Sequence, residues 1–182
     1  MLYTRKGDKG DTSFLGCDQR FSKSSELAEA LGAVDEINSL LGFLKEKSRN
    51  QPLDISNQNL AEIIEKIQQD LFIIQANLAG AKDKKIIPEK IQYLEKTIDA
   101  AEKEMPAIKT FFLSGGTELS ALFDYSRAIA RRAERQVVKL SEKEKVDAEV
   151  PAYMNRLSSL LYALARFINV KSGAKEIPPS YQ

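Results

Sequence analysis

Residues 59–78 read Asn59-Leu60-Ala61-Glu62-Ile63-Ile64-Glu65-Lys66-Ile67-Gln68-Gln69-Asp70-Leu71-Phe72-Ile73-Ile74-Gln75-Ala76-Asn77-Leu78. Leu60, Ile63, Ile64, Ile67, Leu71, Ile74 and Leu78 recur with the 3.6-residue period of a helix that buries one face. Gly80 stands where a helix C-terminal glycine belongs. The same period returns on both sides. Upstream, Ser24 or Ser25 can cap a helix carried by Leu27, Leu31, Val34, Leu41 and Leu44, which fades by Ser48-Arg49-Asn50. Downstream, Pro88 suits the first turn of a helix through Ile91, Leu94, Ile98 and Ala101, which Met105-Pro106 ends. Thr117 caps a fourth helix to about Leu140. Pro151 opens a fifth through Leu157, Leu160, Leu161, Leu164 and Ile168, closed by Gly173. Residues 1–22 are rich in Gly and Asp and carry no helical period. The alternation that a sheet requires is missing. The sequence therefore predicts an all-α, five-helix bundle in one domain (1–182), with a loop segment at 1–22 and the bundle at 23–173.

Composition narrows the chemistry. The chain has 182 residues, with 27 Lys+Arg against 26 Asp+Glu, so no global field draws it to nucleic acid or to an anionic membrane. It has no histidine. Ser-His-Asp triads, Cys-His dyads, His-ligated zinc and haem, and Glu-x-x-His di-iron sites are thereby excluded. Cys17 is the single cysteine, which excludes an intrachain disulfide and a four-cysteine cluster. The start shows no apolar core of a signal peptide, and no apolar run approaches a membrane span, so the expected location is the cytoplasm. Chemistry is left to carboxylates, Arg, Lys, hydroxyls, the backbone or a cofactor.

Four stretches hold candidate chemistry. In Thr4-Arg5-Lys6-Gly7-Asp8-Lys9-Gly10-Asp11-Thr12-Ser13, two glycines flank an aspartate among basic and hydroxyl residues. Such a loop can aim backbone N–H groups at phosphates, and its hydroxyls and Asp8 could help hold Mg²⁺. It is neither a Walker A loop nor a dinucleotide fingerprint, and it also fits a plain polar turn. On the fourth helix, Arg127, Arg131 and Glu134 share one face at ~100° per residue. Two arginines at i,i+4 repel unless an anion answers them: Glu134, a carboxylate on another helix, or a bound polyphosphate. The face equally fits a solvated salt-bridged surface. Early in the fifth helix, Asn155 could bond a ligand or cap the helix, while Tyr162 fits the core. Lys23 precedes the first helix, and Asp35 lies at the edge of that helix's apolar stripe, where a buried carboxylate would need a cation such as Arg127 or Arg131.

In their order and spacing these stretches resemble the PduO-type ATP:cob(I)alamin (corrinoid) adenosyltransferases. The matching pieces are Tyr3-Thr4 with Gly7-Asp8-Lys9-Gly10 and Thr12; Ser22-Lys23; Gly32 with Val34-Asp35-Glu36 and Asn38-Ser39; Phe111 with Leu113 and Gly115-Gly116; Arg127 with Arg131-Arg132-Ala133-Glu134-Arg135; and Asn155-Arg156-Leu157-Ser158. The resemblance implies an up-and-down helical bundle that forms a homotrimer with sites between subunits. It implies transfer of the 5′-deoxyadenosyl group of ATP to the cobalt of cob(I)alamin, giving adenosylcobalamin and triphosphate. The loop residues Thr4, Arg5, Gly7, Asp8, Lys9, Gly10, Thr12 and Ser13, with Lys23, would then hold ATP and its Mg²⁺. Arg131, Glu134 and Asn155 would also face ATP, with Glu134 a candidate for the magnesium. Asp35 and Arg127 would pair on the corrinoid side, and Phe111, with Tyr162 nearby, would wall the lower face of the corrin. Arg131, Asp35, Arg127 and Asn155 form the implied catalytic set.

Partners implied are ATP and cob(I)alamin or cob(II)alamin, with room for a flavin-dependent reductase and an adenosylcobalamin-using enzyme. No nucleic acid or membrane is implied. Three positions depart from the family pattern: Ser114 for proline, Ser159 for aspartate and Tyr162 for phenylalanine. They leave a second reading, a catalytically weak regulator or carrier that binds ATP and cobalamin.

Overall fold

The computed structural model describes residues 3, 5–13, 19–49 and 51–181. Five helices carry it: α1 (Glu26–Ser48), α2 (Leu60–Leu78), α3 (Pro88–Lys103), α4 (Glu118–Ser141) and α5 (Glu149–Ser172). Local chemistry sets their ends. Ser25 caps α1 by accepting from the Ala28 amide, and Thr117 caps α4 by accepting from the Ser120 amide. Asn59 and Glu62 form a reciprocal capping box on α2. Gly80 takes the left-handed conformation that lets its own N–H and that of Ala81 satisfy the last carbonyls of α2. α5 starts two residues before the expected Pro151, which sits within its first turn and leaves no helical hydrogen bond unmade.

Ion pairs reveal the directions. Glu26 at the start of α1 meets Lys139 and Lys143 at the end of α4, and Lys47 at the other end meets Glu118. α1 and α4 are therefore antiparallel. Lys45 and Glu65 set α1 against α2 in the same sense. Arg156–Glu95 and Lys171–Glu104 show that α3 and α5 run the same way. The chain thus goes up and down through all five helices, as the resemblance implies. Across the bundle, α1 packs on α2 and α4, while α5 packs on α4 and α3. α5 is the most enclosed: Tyr153, Met154, Leu157, Leu160, Leu161, Leu164 and Phe167 are fully or almost fully buried.

The expectation of no strands needs correction. Asp11–Thr12 (β1) pairs antiparallel with Phe21–Ser22 (β2), and Asp54–Ile55 (β3) with Gln58–Asn59 (β4). Each strand is two residues long, too short for alternation to show in sequence. The second pair is closed by Ser56 and Asn57, both at positive φ, as a tight hairpin turn requires. No helix among the described residues is long and apolar enough to cross a membrane.

One buried polar contact ties three helices at the α5 N-terminal end. Asp70 of α2 accepts from the Tyr153 hydroxyl of α5 at 3.1 Å and from the Lys90 ammonium of α3. Burial, helped by the Asp70 charge, pushes the Tyr153 phenol well above its ordinary value. The folded protein therefore keeps that proton where the unfolded chain begins to lose it, near pH 10. Stability from this group is complete below that pH and falls as pH rises through it. Tyr153→Phe is expected to lower stability by about 1–3 kcal/mol at pH 7, by leaving Asp70 short of a donor. It should also make stability decline less between pH 7 and pH ~11 than in the wild type. Urea unfolding of both proteins across that range checks both effects.

Candidate active site

Two separate groups of the predicted residues are found, and a single chain does not join them. The first is the N-terminal loop. Its backbone turns twice, through Asp8 N–H to Arg5 C=O and Gly10 N–H to Gly7 C=O. Gly10 takes positive φ, and so does Arg5, whose guanidinium lies 5.5 Å from the centre of the Tyr3 ring. Lys23 holds the loop at two points. Its amide donates to Gly10 C=O at 2.9 Å and its ammonium to Gly7 C=O at 2.8 Å. Thr12 lies in the β1–β2 ladder, while Asp8, Lys9 and Ser13 are exposed. Arg20 binds Asp11 and pulls its carboxyl below the usual carboxylate range. Thr4 and Cys17 lie outside the described residues.

The second group lines a cleft of about 530 Å³ between α3, α4, α5 and the loop 104–117. One end is polar. Arg131 Nη1 donates to Glu134 Oε2 at 2.7 Å, and Asn155 Nδ2 donates to Glu134 Oε1 at 3.0 Å. Asn155 Oδ1 accepts from Arg156, which reaches Glu95 of α3. The row thus runs across three helices. Arg131 keeps much of its guanidinium exposed, so it can turn to an anion. The other end is apolar: Phe111, Phe112, Ile98, Ile108, Tyr162 and Ala163 line it. Phe111 is 75% exposed, so the wall is open to solvent at this residue. Burial raises the Tyr162 phenol, so its hydroxyl is neutral near pH 7. Ser114 and Ser159 line the same cleft.

The face of α4 that bears Arg127, Arg131 and Glu134 is therefore not a free solvated surface: α5 and the loop partly cover it. Arg127 lines the cleft, and its Nε is buried with no hydrogen-bond partner among the described residues. The expected pairing of Asp35 with Arg127 is not made within the chain. Asp35 is exposed and accepts only a long bond, 3.5 Å, from Gln75 of α2. Helical spacing explains this. Val34 and Ile37 face the core, Asp35 turns to the α2 flank, and the next residue, Glu36, turns to α4 and pairs with Arg132.

Sequence reasoning missed Phe112, Asp124 and Ser158 as lining residues. A signal existed for Asp124, which stands three residues before Arg127 on the same face of α4. It is buried, and burial pushes its carboxyl above the usual range against the pull of Arg166, the Gly115 amide and Arg127. Among the described residues no cluster of three or more acidic or cysteine side chains could hold a metal unaided.

A doubly turned glycine loop, a polar row and an apolar wall on one helical bundle have a counterpart among known proteins. The family model for cobalamin adenosyltransferase matches residues 2–168. The chain belongs to that family. It is 38% identical over 179 residues to a corrinoid adenosyltransferase of Bacillus subtilis (strain 168), covering 97% of this chain and 90% of that protein. It is 37% identical to the corrinoid adenosyltransferase PduO of Salmonella typhimurium (strain LT2), of which it spans only 48%. Among solved structures, a Phe-to-His variant of the PduO-type ATP:corrinoid adenosyltransferase from Lactobacillus reuteri, complexed with cobalamin and ATP, superposes with a TM-score of 0.88 at 34% identity. That match covers 100% of this chain and 97% of the other.

For this adenosyltransferase-family chain, the loop beneath the apolar wall is held by a glycine. Gly116 has φ +105, and a Cβ there would run into the Asn169 side-chain amide. Gly116→Ala is expected to destabilise the protein by about 1–3 kcal/mol, from backbone strain and the clash together. A lowered thermal unfolding midpoint measures it.

Proposed function

We propose that this protein transfers the 5′-deoxyadenosyl group of ATP to the cobalt of cob(I)alamin, releasing triphosphate. The observation that carries the reading is the cleft's division into an Arg131–Glu134–Asn155 row and an aromatic wall, in a chain of this family. In the reaction, the cobalt(I) electron pair forms the bond to C5′ of ATP. The C5′–O bond breaks, and its electrons leave with the triphosphate. Cob(I)alamin is itself a strong nucleophile, so no general base is needed and the lack of histidine is no obstacle. What remains for the chain is alignment, which can supply ~7–11 kcal/mol, and stabilisation of the leaving triphosphate.

Arg131 is suited to the leaving group because its guanidinium is exposed beside the cleft and fixed at one end by Glu134. Asn155 holds the second oxygen of Glu134, so the row keeps its geometry while Arg131 engages phosphate. Arg5, Lys9 and Lys23, with the backbone of Gly7 and Gly10 and the hydroxyls of Thr4, Thr12 and Ser13, would supply the rest of the phosphate seat. Mg²⁺ fits only as an ion carried in on the phosphates, since one carboxylate plus substrate oxygens is a usual magnesium set. Glu134 and Asp8 are the carboxylates for it, Glu134 through water because both its oxygens are engaged. When bound, the ion neutralises triphosphate charge.

Phe111 and Tyr162 form the apolar wall for the corrin, excluding a lower ligand from cobalt and so easing reduction of cobalt(II). The loop and the polar row lie apart in one chain, and Asp35 is turned away from Arg127. Both facts support a homotrimer in which the loop and α1 of one subunit complete the cleft of the next, pairing Asp35 with Arg127. The reaction requires an electron donor for cob(II)alamin, such as a flavin-dependent reductase, and an enzyme that uses adenosylcobalamin. The presence of Ser114, Ser159 and the Tyr162 hydroxyl around the corrinoid end favours the second reading, a weakly catalytic ATP- and cobalamin-binding carrier.

The deciding assay is anaerobic. Mg-ATP and chemically reduced cob(I)alamin are mixed with the protein, and loss of cobalt(I) absorbance is followed with growth of the adenosylcobalamin spectrum. Steady product formation is expected. Arg131→Ala should lower the rate by about 10²–10³-fold, as loss of a positioned donor to a developing anion does, with the unfolding midpoint unchanged. ATP binding without any product from the wild type would establish the carrier instead.

A further inference from the structure

One cation lies deep in the bundle behind the aromatic wall. Arg166 interrupts the apolar run Leu160–Val170 of α5 and is 1% exposed. A guanidinium persists at such a place only if its charge is answered. Asp124 of α4 accepts from Nη2 at 2.5 Å. Glu176, in the segment after α5, places Oε1 2.8 Å from Nη1, an ion pair whose N–H is not aligned for a full hydrogen bond. The guanidinium carbon lies over two aromatic rings, 5.2 Å from the centre of Tyr162 and 5.9 Å from that of Phe112. Both rings and Asp124 line the cleft, while Arg166 does not.

The segment after α5 also holds the loop from behind. Leu113 N–H donates to Ile177 C=O at 2.8 Å. Asn169 Nδ2 donates to Gly115 C=O at 2.8 Å and to Glu176 Oε1 at 3.1 Å. Glu176 thus joins the buried cation to the loop that carries Phe111 and Phe112.

We propose that Arg166 is a positioning residue for the corrinoid: paired with Asp124 and Glu176, it fixes the Phe112 and Tyr162 rings and the loop of Phe111 in place before the corrinoid arrives. This rests on the function proposed above. Arg166 touches no substrate in this account. Its influence passes through the wall, so it acts on the corrinoid and leaves the ATP row, built on Glu134, untouched.

The test uses the full chain. Glu176→Gln keeps shape, removes one charge at a half-buried position and leaves the core intact. Arg166→Lys keeps the charge and removes the planar fork. Hydrogen exchange at the Leu113 amide and KM for cob(I)alamin and for ATP are measured for wild type and both variants. For Glu176→Gln, exchange at Leu113 should quicken about tenfold and the cob(I)alamin KM should rise about tenfold, with the ATP KM unchanged. Arg166→Lys should show the same split, because an ammonium cannot stack on both rings.

Unchanged Leu113 exchange, an unchanged cob(I)alamin KM, or equal rises in both KM values would each overturn the proposal. Should Arg166→Lys not fold, Glu176→Gln alone decides. A wild type that makes no adenosylcobalamin would instead sink the proposed function, and that result is read before any variant is compared.

Discussion

A helix that is apolar on nearly every side has to be surrounded, and α5 is that helix. Its burial dictates the order of the others around it. α4 covers one side and α3 another, while α2 reaches its N-terminal end through Asp70 and Tyr153. α1 then closes the layer by packing on α2 and α4. The cleft lies between α3, α4 and α5, where the connection from α3 to α4 crosses the gap. The aromatic residues of that connection line the gap, with Phe111 left largely open to solvent.

The two chemical characters of the cleft follow from helix spacing. On α4, residues three and four apart share a face, so Arg127, Arg131 and Glu134 stack along the opening. On α5, Asn155, Ser158, Ser159 and Tyr162 do the same one turn at a time. The meeting of these two stripes puts charge at one end and rings at the other. Two ligands side by side, one with a polyphosphate and one with a large flat face, suit such a gradient.

Much of this was legible in the sequence. The five helices, a cap at Ser24 or Ser25, the cap at Thr117 and the glycines at 80 and 173 could be read because each rests on residues near in sequence; only the structure picks Ser25. Arg131 with Glu134 was legible for the same reason, being an i,i+3 pair. What could not be read depends on separations along the chain. Asp35 carried the right charge for Arg127, but only packing shows that it turns toward α2. The cluster joins Asp124 to Arg166 and Glu176, 42 and 52 positions further along the chain, and no local pattern encodes it. A lone arginine in the run Leu160–Val170 was the one visible trace, since a charge inside an apolar stretch implies a hidden counter-charge. The two-residue strands escaped because a period needs more than one repeat to be seen.

The N-terminal loop has a further consequence. The ammonium of Lys23 is already engaged by the Gly7 carbonyl. Under the proposed function the loop would serve as its own placeholder, holding the lysine where a phosphate oxygen would take over. An arriving phosphate would displace a carbonyl and would not have to gather a free side chain out of water. Part of the side-chain entropy of that lysine is already spent at folding. Nucleotide capture at this loop would then be an exchange of partners, and a change that loosened Gly7 would weaken it with no charge altered.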